Sequence, residues 1–288
     1  MIAYQINAFI HKNQGGNPAG VVLGAENLSA EQMQTIAHNL GFSETAFVRS
    51  VPDEENNNID FHVRFFTPNV EVDFCGHATL GCFSLMYQKS IIAPGQYKQL
   101  TKAGILSVDI AADGRITQQQ TRPKFLGELP TEVVAESVNI SPEALNTENF
   151  PIQCVTTGLV DVIIPIQPGL LDTIEPNFQK VSDLSERYGA IGYHLFELNN
   201  TGEYCRANCR NFAPLVDIPE ESATGSASGA LAAYLNNYHI NQPTSFRFIQ
   251  GKTLGMPSEI TVNLEITNET VNNVYVSGYG QLIKEINL

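Results

Sequence analysis

The alternation of hydrophobic and polar residues predicts short strands and three clear helices. Runs rich in β-branched and aromatic residues predict strands at 2–10, 20–24, 45–51 and 59–66. The polar stretch at 29–40 has apolar residues near the helical period after a candidate N-cap, Ser29, and this predicts a surface helix. "HATLGCFSLMYQK" at 77–89 and "SASGALAAYLNNY" at 226–238 are apolar nearly all round, which is typical of a helix buried on every side.

A set of motifs occurs twice in the same order, which indicates an internal repeat. "LGFSETAFV" at 40–48 aligns with "GAIGYHLFE" at 189–197, "RFFTP" at 64–68 with "RNFAP" at 210–214, and "GHAT" at 76–79 with "GSAS" at 225–228. "GNPAGVVL" at 16–23 resembles "TGLVDVII" at 157–164 in the same way. In this alignment Tyr193 is the counterpart of Glu44.

The repeat predicts two domains, each a β-rich wrapper around one buried helix. We place them at 1–116 and 117–288, with the polar segment at 113–125 as the crossover between the halves. An alternative for the final stretch, 274–288, is that it adds a strand back to the first domain. A small-molecule site is expected in a cleft where the halves meet, because domain junctions commonly hold such sites.

Composition and charge exclude several classes of partner. The chain of 288 residues has a formal net charge of −14. A negative protein does not attract the phosphates of nucleic acid, so nucleic acid is not an expected partner. Neither a basic start followed by an apolar run nor a window of roughly 18 apolar residues is present, so no membrane partner is expected. Five cysteines without a secretory signal fit reduced thiols, and the expected location is the cytoplasm.

Cofactor and metal motifs are not found in the sequence. Cys205 and Cys209 are four residues apart in a predicted strand, but no clustered histidine or third cysteine completes a zinc site, so we interpret them as structural. The sequence has no P-loop, dinucleotide fingerprint or nucleophile elbow. We therefore expect no metal and no cofactor.

The starts of the two buried helices are candidate anion sites. Each has a small polar turn, with Gly76 and His77 in the first half and Gly225 and Ser226 in the second. A helix start presents unpaired N–H groups and a partial positive charge, and glycine lets a ligand approach the backbone. Either motif alone is more typical of a simple N-cap, but the matched pair favours a binding site for a carboxylate.

Four segments together resemble the PhzF-like family, relatives of the phenazine-biosynthesis isomerase with the diaminopimelate epimerase fold. They are "GNPAGVV", "GFSETAFV", "RFFTPNVEVDFCGHATLG" and "ESATGSASGALAAYL", and the resemblance covers essentially the whole chain. It implies an α+β fold of two pseudo-symmetric domains, each a β-barrel-like sheet around a central helix, with a cofactor-free site. We also expect a homodimer.

The resemblance implies roles for particular residues. Glu44, the glutamate of S-E-T-A-F, would be the acid/base that moves a proton within a small unsaturated acid. The residues expected to bind the substrate or stabilise an oxyanion are Asn17, Pro18, Cys75, Gly76, His77, Glu221, Gly225 and Ser226. Without the resemblance, a solvated carboxylate would be the simpler interpretation of Glu44.

Two positions bear on the chemistry. Glu221 and Ser222 stand where many family members have aspartate and proline, which puts the identity of the substrate in doubt. Relatives with the same fold epimerise with one thiol from each half, and the corresponding pair here is Cys75 and Thr224. A threonine hydroxyl is too weak an acid to replace a thiol, so a two-thiol mechanism is disfavoured.

The sequence predicts a cofactor-independent isomerase of a small carboxylate-bearing metabolite, with Glu44 moving the proton. One alternative is a thiol-dependent epimerase or dehydratase that uses Cys75. A second is a non-catalytic protein that binds a small molecule or a partner and keeps the same cleft. A buried Glu44 carboxyl facing both helix starts would favour catalysis, whereas a solvent-exposed one would favour binding alone.

Overall fold

The computed structural model describes residues 1–51, 59–148, 150–199, 205–239 and 242–288, apart from the side chain of Cys205. The helices are α1 Ala30–Leu40, α2 Gly76–Gln88, α3 Thr131–Ser137, α4 Phe178–Tyr188 and α5 Gly225–Tyr238. Within the described ranges, none of them is long and apolar enough to cross a membrane.

Most of the regular structure is β-sheet. The strands are β1 Ile2–Ala8, β2 Asn17–Leu23, β3 Thr45–Ser50, β4 Phe61–Phe66, β5 Glu71–Val72, β6 Gly95–Thr101, β7 Gly104–Ile110, β8 Ile116–Gln120, β9 Lys124–Glu128, β10 Gln153–Thr156, β11 Val160–Pro165, β12 Gly192–Leu198, β13 Cys205–Ala213, β14 Ile218–Glu221, β15 Ser245–Gln250, β16 Ser258–Thr267, β17 Thr270–Gly278 and β18 Gly280–Asn287.

The chain divides into two compact units. The first contains Met1–Gln119 and Ser277–Leu288, and the second contains Gln120–Val276. The final strand, β18, belongs to the first unit, where it pairs antiparallel with β1.

The first unit wraps its strands around α2. This helix packs against β1, β2, β3 and β18, and every side chain from His77 to Met86 is buried. Such a helix needs apolar or small residues on all sides, which explains its lack of a polar face. The amphipathic α1 instead covers the outer face of the sheet, where Met33 and Ala37 pack against Phe47 and Phe66.

The N-terminus of α1 follows the sequence prediction closely. Ser29 is the N-cap, its hydroxyl accepts from the backbone N–H of Gln32, and the Gln32 side chain accepts in return from the Ser29 backbone. This reciprocal capping box satisfies two N–H groups that the helix leaves without partners. Gly41 ends the helix in the left-handed conformation, with φ of 68°.

The second unit repeats the strand pairing of the first. In unit 1 the pairs β1–β2, β3–β4 and β6–β7 are antiparallel, while β2–β3 and β4–β6 are parallel. In unit 2 the pairs β10–β11, β12–β13 and β15–β16 are antiparallel, while β11–β12 and β13–β15 are parallel. The helices α1 and α4 occupy matching crossovers, as do α2 and α5.

The segment predicted as a crossover, 113–125, is partly a strand instead. It contains β8 and the start of β9, and the first unit ends within it at Gln119. The polar run after Ile116 concealed the strand, because Gln118 is buried although it is polar. Its amide Nε2 donates to the Gly76 carbonyl oxygen at 2.8 Å, so its burial is compensated by a hydrogen bond.

Candidate active site

The start of α2 carries the GHAT motif on a turn held in place from the neighbouring strand. Cys75 is the N-cap residue with extended backbone, φ −142° and ψ 117°, and its side chain does not cap the helix. Gly76 opens the helix, and its carbonyl oxygen accepts the hydrogen bond from Gln118. The first turn therefore keeps its N–H groups clear of a side-chain cap, as an anion site requires.

Glu44 lies immediately before β3, on the strand pair that flanks α2. Its carbonyl oxygen accepts from the Gly20 backbone N–H at 3.0 Å, which extends the parallel β2–β3 pairing to this residue. The side chain is only 14% exposed, and Oε2 lies 3.4 Å from His77 Nε2. Within the described part of the chain, Oε2 is buried and has no hydrogen-bond partner. Glu44 is thus a partly buried carboxyl beside the start of α2, with one oxygen buried, rather than a fully solvated one.

The imidazole of His77 lies between a carboxyl and a thiol. Its Nδ1 is 3.5 Å from Cys75 Sγ, while Ser43 Oγ is 3.4 Å from the same Nε2 that faces Glu44. His77 is 5% exposed and Cys75 is 8% exposed. The structure therefore brings together three of the predicted residues, and it adds Ser43, which the sequence analysis did not single out.

Asn17 and Pro18 occupy the start of β2. Asn17 is buried and Pro18 is partly buried, and the parallel register matches Gly20 with Thr45. Because parallel strands run in the same direction, the start of β2 lies at the same end of the sheet as Glu44. This places both residues near that edge of unit 1.

The start of α5 in unit 2 is built around Glu221. Thr224 is the N-cap residue and its side chain does not cap the helix. Instead its Oγ1 donates to Glu221 Oε2 at 2.5 Å, and the buried Gln250 donates from Nε2 to the Glu221 carbonyl oxygen at 2.7 Å. Gly225 is buried and Ser226 is partly buried. Glu221 accordingly accepts a hydrogen bond, as expected for the residue that replaces the family's aspartate.

Two equivalent arginine–glutamate ion pairs, one in each unit, connect the strands that lead into the two buried helices. Arg64 donates from Nε and Nη2 to Glu71 at 2.7 and 3.0 Å, and Arg210 donates to Glu220 through the same atoms at 2.9 Å each. The hydrogen bond from Arg64 holds the pKa of Glu71 below its usual range. Both arginines open the R-x-F motif that "RFFTP" and "RNFAP" share, so the repeat pointed to them. Their glutamate partners, Glu71 and Glu220, were not predicted from the sequence.

Strand register corrects the predicted counterpart of Glu44. Thr45 lies opposite Phe66, and Tyr193 lies opposite Phe212, the matching phenylalanine of the R-x-F motif. The residue before Tyr193 is Gly192, so Gly192 and not Tyr193 takes the place of Glu44. A side chain there is excluded, because a Cβ on Gly192 would collide with the Phe212 carbonyl oxygen.

Unit 2 instead carries a buried carboxyl on the neighbouring strand, at Asp161. Asp161 is 1% exposed and is matched with Gly192 in the parallel β11–β12 pair. Val162 and Ile164 belong to a hydrophobic core cluster that includes residues of α3 and α4. Because side chains alternate along a strand, Asp161 points to the opposite face of the sheet, towards α5. Both carboxyl oxygens lack a hydrogen-bond partner within the described residues. Burial, and then the charge of Glu221, raise the pKa of Asp161 well above its usual value.

We expect Asp161→Asn to stabilise the protein increasingly as pH rises. Because the pKa of Asp161 is raised in the folded state, the folded chain binds more protons than the unfolded chain. Relative to the variant, the wild type loses stability from about pH 4 upwards, with a slope approaching about 1.4 kcal/mol per pH unit. Urea unfolding between pH 4 and 8 measures this difference. The exposed Asp172→Asn is the control, and a constant gap between wild type and Asp161→Asn would contradict the prediction.

A second buried titratable group, His194, faces the same interior. Its Nδ1 lies 2.9 Å from Asn211 Oδ1, and burial lowers the pKa of His194 to about 4. The imidazole is therefore neutral near pH 7. Neither Asp161 nor His194 was predicted from the sequence, although a charged residue within the apolar run "GLVDVIIP" was a usable signal.

Comparison with known proteins shows relatives over the whole chain. The family described as phenazine biosynthesis-like protein, PhzC-PhzF, matches residues 6–285. An uncharacterized isomerase of Clostridium acetobutylicum is 34% identical, covering 96% of this chain and 93% of its own. The trans-2,3-dihydro-3-hydroxyanthranilate isomerase of Pseudomonas aeruginosa is 28% identical, covering 97% of this chain and 96% of its own.

Solved structures show the same fold. The phenazine biosynthesis protein of Bacillus anthracis, PhzF family, has a TM-score of 0.89 and 28% identity, covering 100% of this chain and 98% of its own. A hydroxyproline epimerase from Agrobacterium vitis has a TM-score of 0.62 at 13% identity, covering 100% and 90%, and shows likeness of fold alone. The predicted α+β fold class is confirmed, and relatives named isomerases support the predicted enzyme class. The chain belongs to the PhzC-PhzF, phenazine biosynthesis-like family.

Proposed function

We propose that this protein is a cofactor-independent isomerase of a small carboxylate-bearing metabolite and that Glu44 moves the proton. The observation that carries the proposal is the Glu44 carboxyl, which is partly buried beside the start of α2, with its buried Oε2 3.4 Å from His77 Nε2. A carboxyl held this way can take a proton from one carbon of a substrate and return it to another. Such a transfer requires no redox change.

In the proposed reaction, the start of α2 holds the negative charge that develops on the substrate. The backbone N–H groups of Gly76 and His77 stabilise an oxyanion or carboxylate, and the His77 side chain fixes the position of Glu44. Asn17 and Pro18, at the start of β2, contact the substrate at the same end of the sheet. We also propose that Glu221, Gly225 and Ser226 at the start of α5 contribute to substrate binding.

The first compound to test is trans-2,3-dihydro-3-hydroxyanthranilate, which the name of the Pseudomonas aeruginosa relative gives as its substrate. It carries a carboxylate on an unsaturated ring, the class of molecule that the proposal requires. Conversion would be followed by absorbance and by NMR of the product, with related small unsaturated acids tested in parallel. Binding of these acids without turnover of any of them would favour a non-catalytic binding protein.

One observation supports a second candidate, a thiol-dependent epimerase or dehydratase. Cys75 Sγ lies 3.5 Å from His77 Nδ1, so the imidazole is placed to accept the thiol proton. Against this, the matching position in unit 2 is Thr224, whose hydroxyl already donates to Glu221. We therefore favour Glu44.

A further inference from the structure

The Glu44, Cys75 and His77 side chains offer three different donor atoms in one small volume. One carboxylate oxygen, the thiol sulphur and one ring nitrogen all lie within 4.8 Å of one another. His77 Nε2 lies 3.4 Å from Glu44 Oε2, and the other ring nitrogen, Nδ1, lies 3.5 Å from Cys75 Sγ. The sequence predicted no metal ligands here, because Glu44 is distant in the chain from the other two residues.

These separations are close to those a zinc ion requires. Tetrahedral bonds of about 2.0–2.3 Å to nitrogen, oxygen and sulphur place neighbouring donors about 3.4–3.6 Å apart. The separation from Glu44 Oε2 to His77 Nε2 meets this condition, whereas the short contact of Cys75 Sγ is to the other ring nitrogen, Nδ1. Binding of one ion by all three residues therefore requires their side chains to turn until the carboxylate oxygen, Sγ and a single ring nitrogen, which already lie within 4.8 Å of one another, approach to these separations.

The carboxyl also has an unused bonding site. Glu44 Oε2 is buried and makes no hydrogen bond within the described residues, and its contact with His77 Nε2, at 3.4 Å, is too long to replace one. A bound cation would compensate that burial. Thiolate, imidazole and carboxylate together are the donor set of zinc rather than of magnesium or calcium, which prefer oxygen alone.

We propose that Glu44, Cys75 and His77 form a zinc-binding site, and that zinc inhibits the isomerase by occupying Glu44. Three protein ligands leave the fourth position of a tetrahedral zinc ion open to water. Zinc bound to the Glu44 carboxylate removes the oxygen that takes the substrate proton. The inhibitory part rests on the proposed function, whereas zinc binding itself does not.

Zinc binding is tested without substrate, by competition with a chromophoric chelator on the untagged, metal-free protein. We expect one zinc ion per chain in the wild type. Loss of a group that merely orients a zinc ligand costs about 10–100-fold in affinity, so Cys75→Ser and Glu44→Gln should each weaken binding at least tenfold. Cys82→Ser is the matched control, because Cys82 is fully buried in α2 and its Sγ donates to the Thr79 carbonyl oxygen.

A spectroscopic measurement on the wild type keeps the test independent of the folding of the variants. Cobalt(II) in place of zinc should give the intense near-ultraviolet charge-transfer absorption of a thiolate ligand. Absence of that band, or unchanged zinc affinity in Cys75→Ser, would overturn the site. With a turnover assay, one equivalent of zinc should suppress isomerisation and a chelator should restore it. Full activity of the zinc-loaded protein would refute inhibition, while an inactive metal-free wild type would count against the isomerase and not against zinc binding.

Discussion

Glu44→Gln is expected to remove isomerisation while leaving the fold and ligand binding in place. Glutamine keeps the size and polarity of the side chain beside His77, but it cannot take a proton and return it. General acid/base catalysis typically contributes about 10²–10⁴-fold, so kcat should fall by that order or more. Turnover, ligand affinity and thermal unfolding of wild type and variant would be measured together.

Two variants serve as controls for Glu44→Gln. Glu31→Gln changes an exposed glutamate on α1 and should leave turnover unchanged. Cys75→Ser keeps a small polar group beside His77 Nδ1 and should cost only modest activity if Glu44 carries the proton. A Glu44→Gln protein that keeps wild-type turnover would contradict the proposed role.

Arg210→Met is expected to destabilise the protein by about 3–5 kcal/mol, the usual cost of leaving one partner of a buried ion pair uncompensated. The side chains of Arg210 and Glu220 are only 8% and 11% exposed. Arg210 Nη1 also donates to the carbonyl oxygens of Leu171 and Ile174 at 3.2 and 2.6 Å, and these acceptors would lose their donor. Urea unfolding measures the loss.

The matched control is Arg64→Met, in the equivalent ion pair of unit 1. The side chains of Arg64 and Glu71 are 26% and 18% exposed, so water can solvate the Glu71 carboxylate that Arg64→Met leaves unpaired. The loss of stability should therefore be smaller than in Arg210→Met. Adding Glu220→Met to Arg210→Met should restore part of the stability, because the unpaired buried carboxylate is removed. Equal losses for Arg64→Met and Arg210→Met would show that burial of the pair does not set its contribution.

The sequence predicted the parts of the fold that local patterns specify. The buried helices were predictable because their residues are apolar or small on every side, and α1 because Ser29 and its spacing mark an N-terminus. The repeated motifs anticipated the repeated strand pairing. β8 was missed because Gln118 is buried through a hydrogen bond to Gly76, a partner 42 residues away.

The candidate site was predictable where a residue belongs to a recognisable motif. It was not predictable where contacts between distant parts of the chain determine which side chains meet. Glu44 and His77 came from motifs, but their distance of 3.4 Å depends on strand β3 lying beside α2. The counterpart of Glu44 was predicted one position too late, at Tyr193 instead of Gly192, because a sequence alignment does not show strand register. Asp161 was missed because its burial is set by packing that brings α5 against β11.

Deuterium incorporation from solvent tests most directly whether Glu44 moves the proton. Wild type, Glu44→Gln and Cys75→Ser would be incubated in deuterium oxide with a small unsaturated acid that the wild type converts, and NMR would measure the deuterium bound to carbon in that acid. We predict incorporation with wild type and Cys75→Ser, and none with Glu44→Gln beyond the uncatalysed rate. Incorporation that survives in Glu44→Gln and disappears in Cys75→Ser would contradict the account and assign the proton transfer to the thiol.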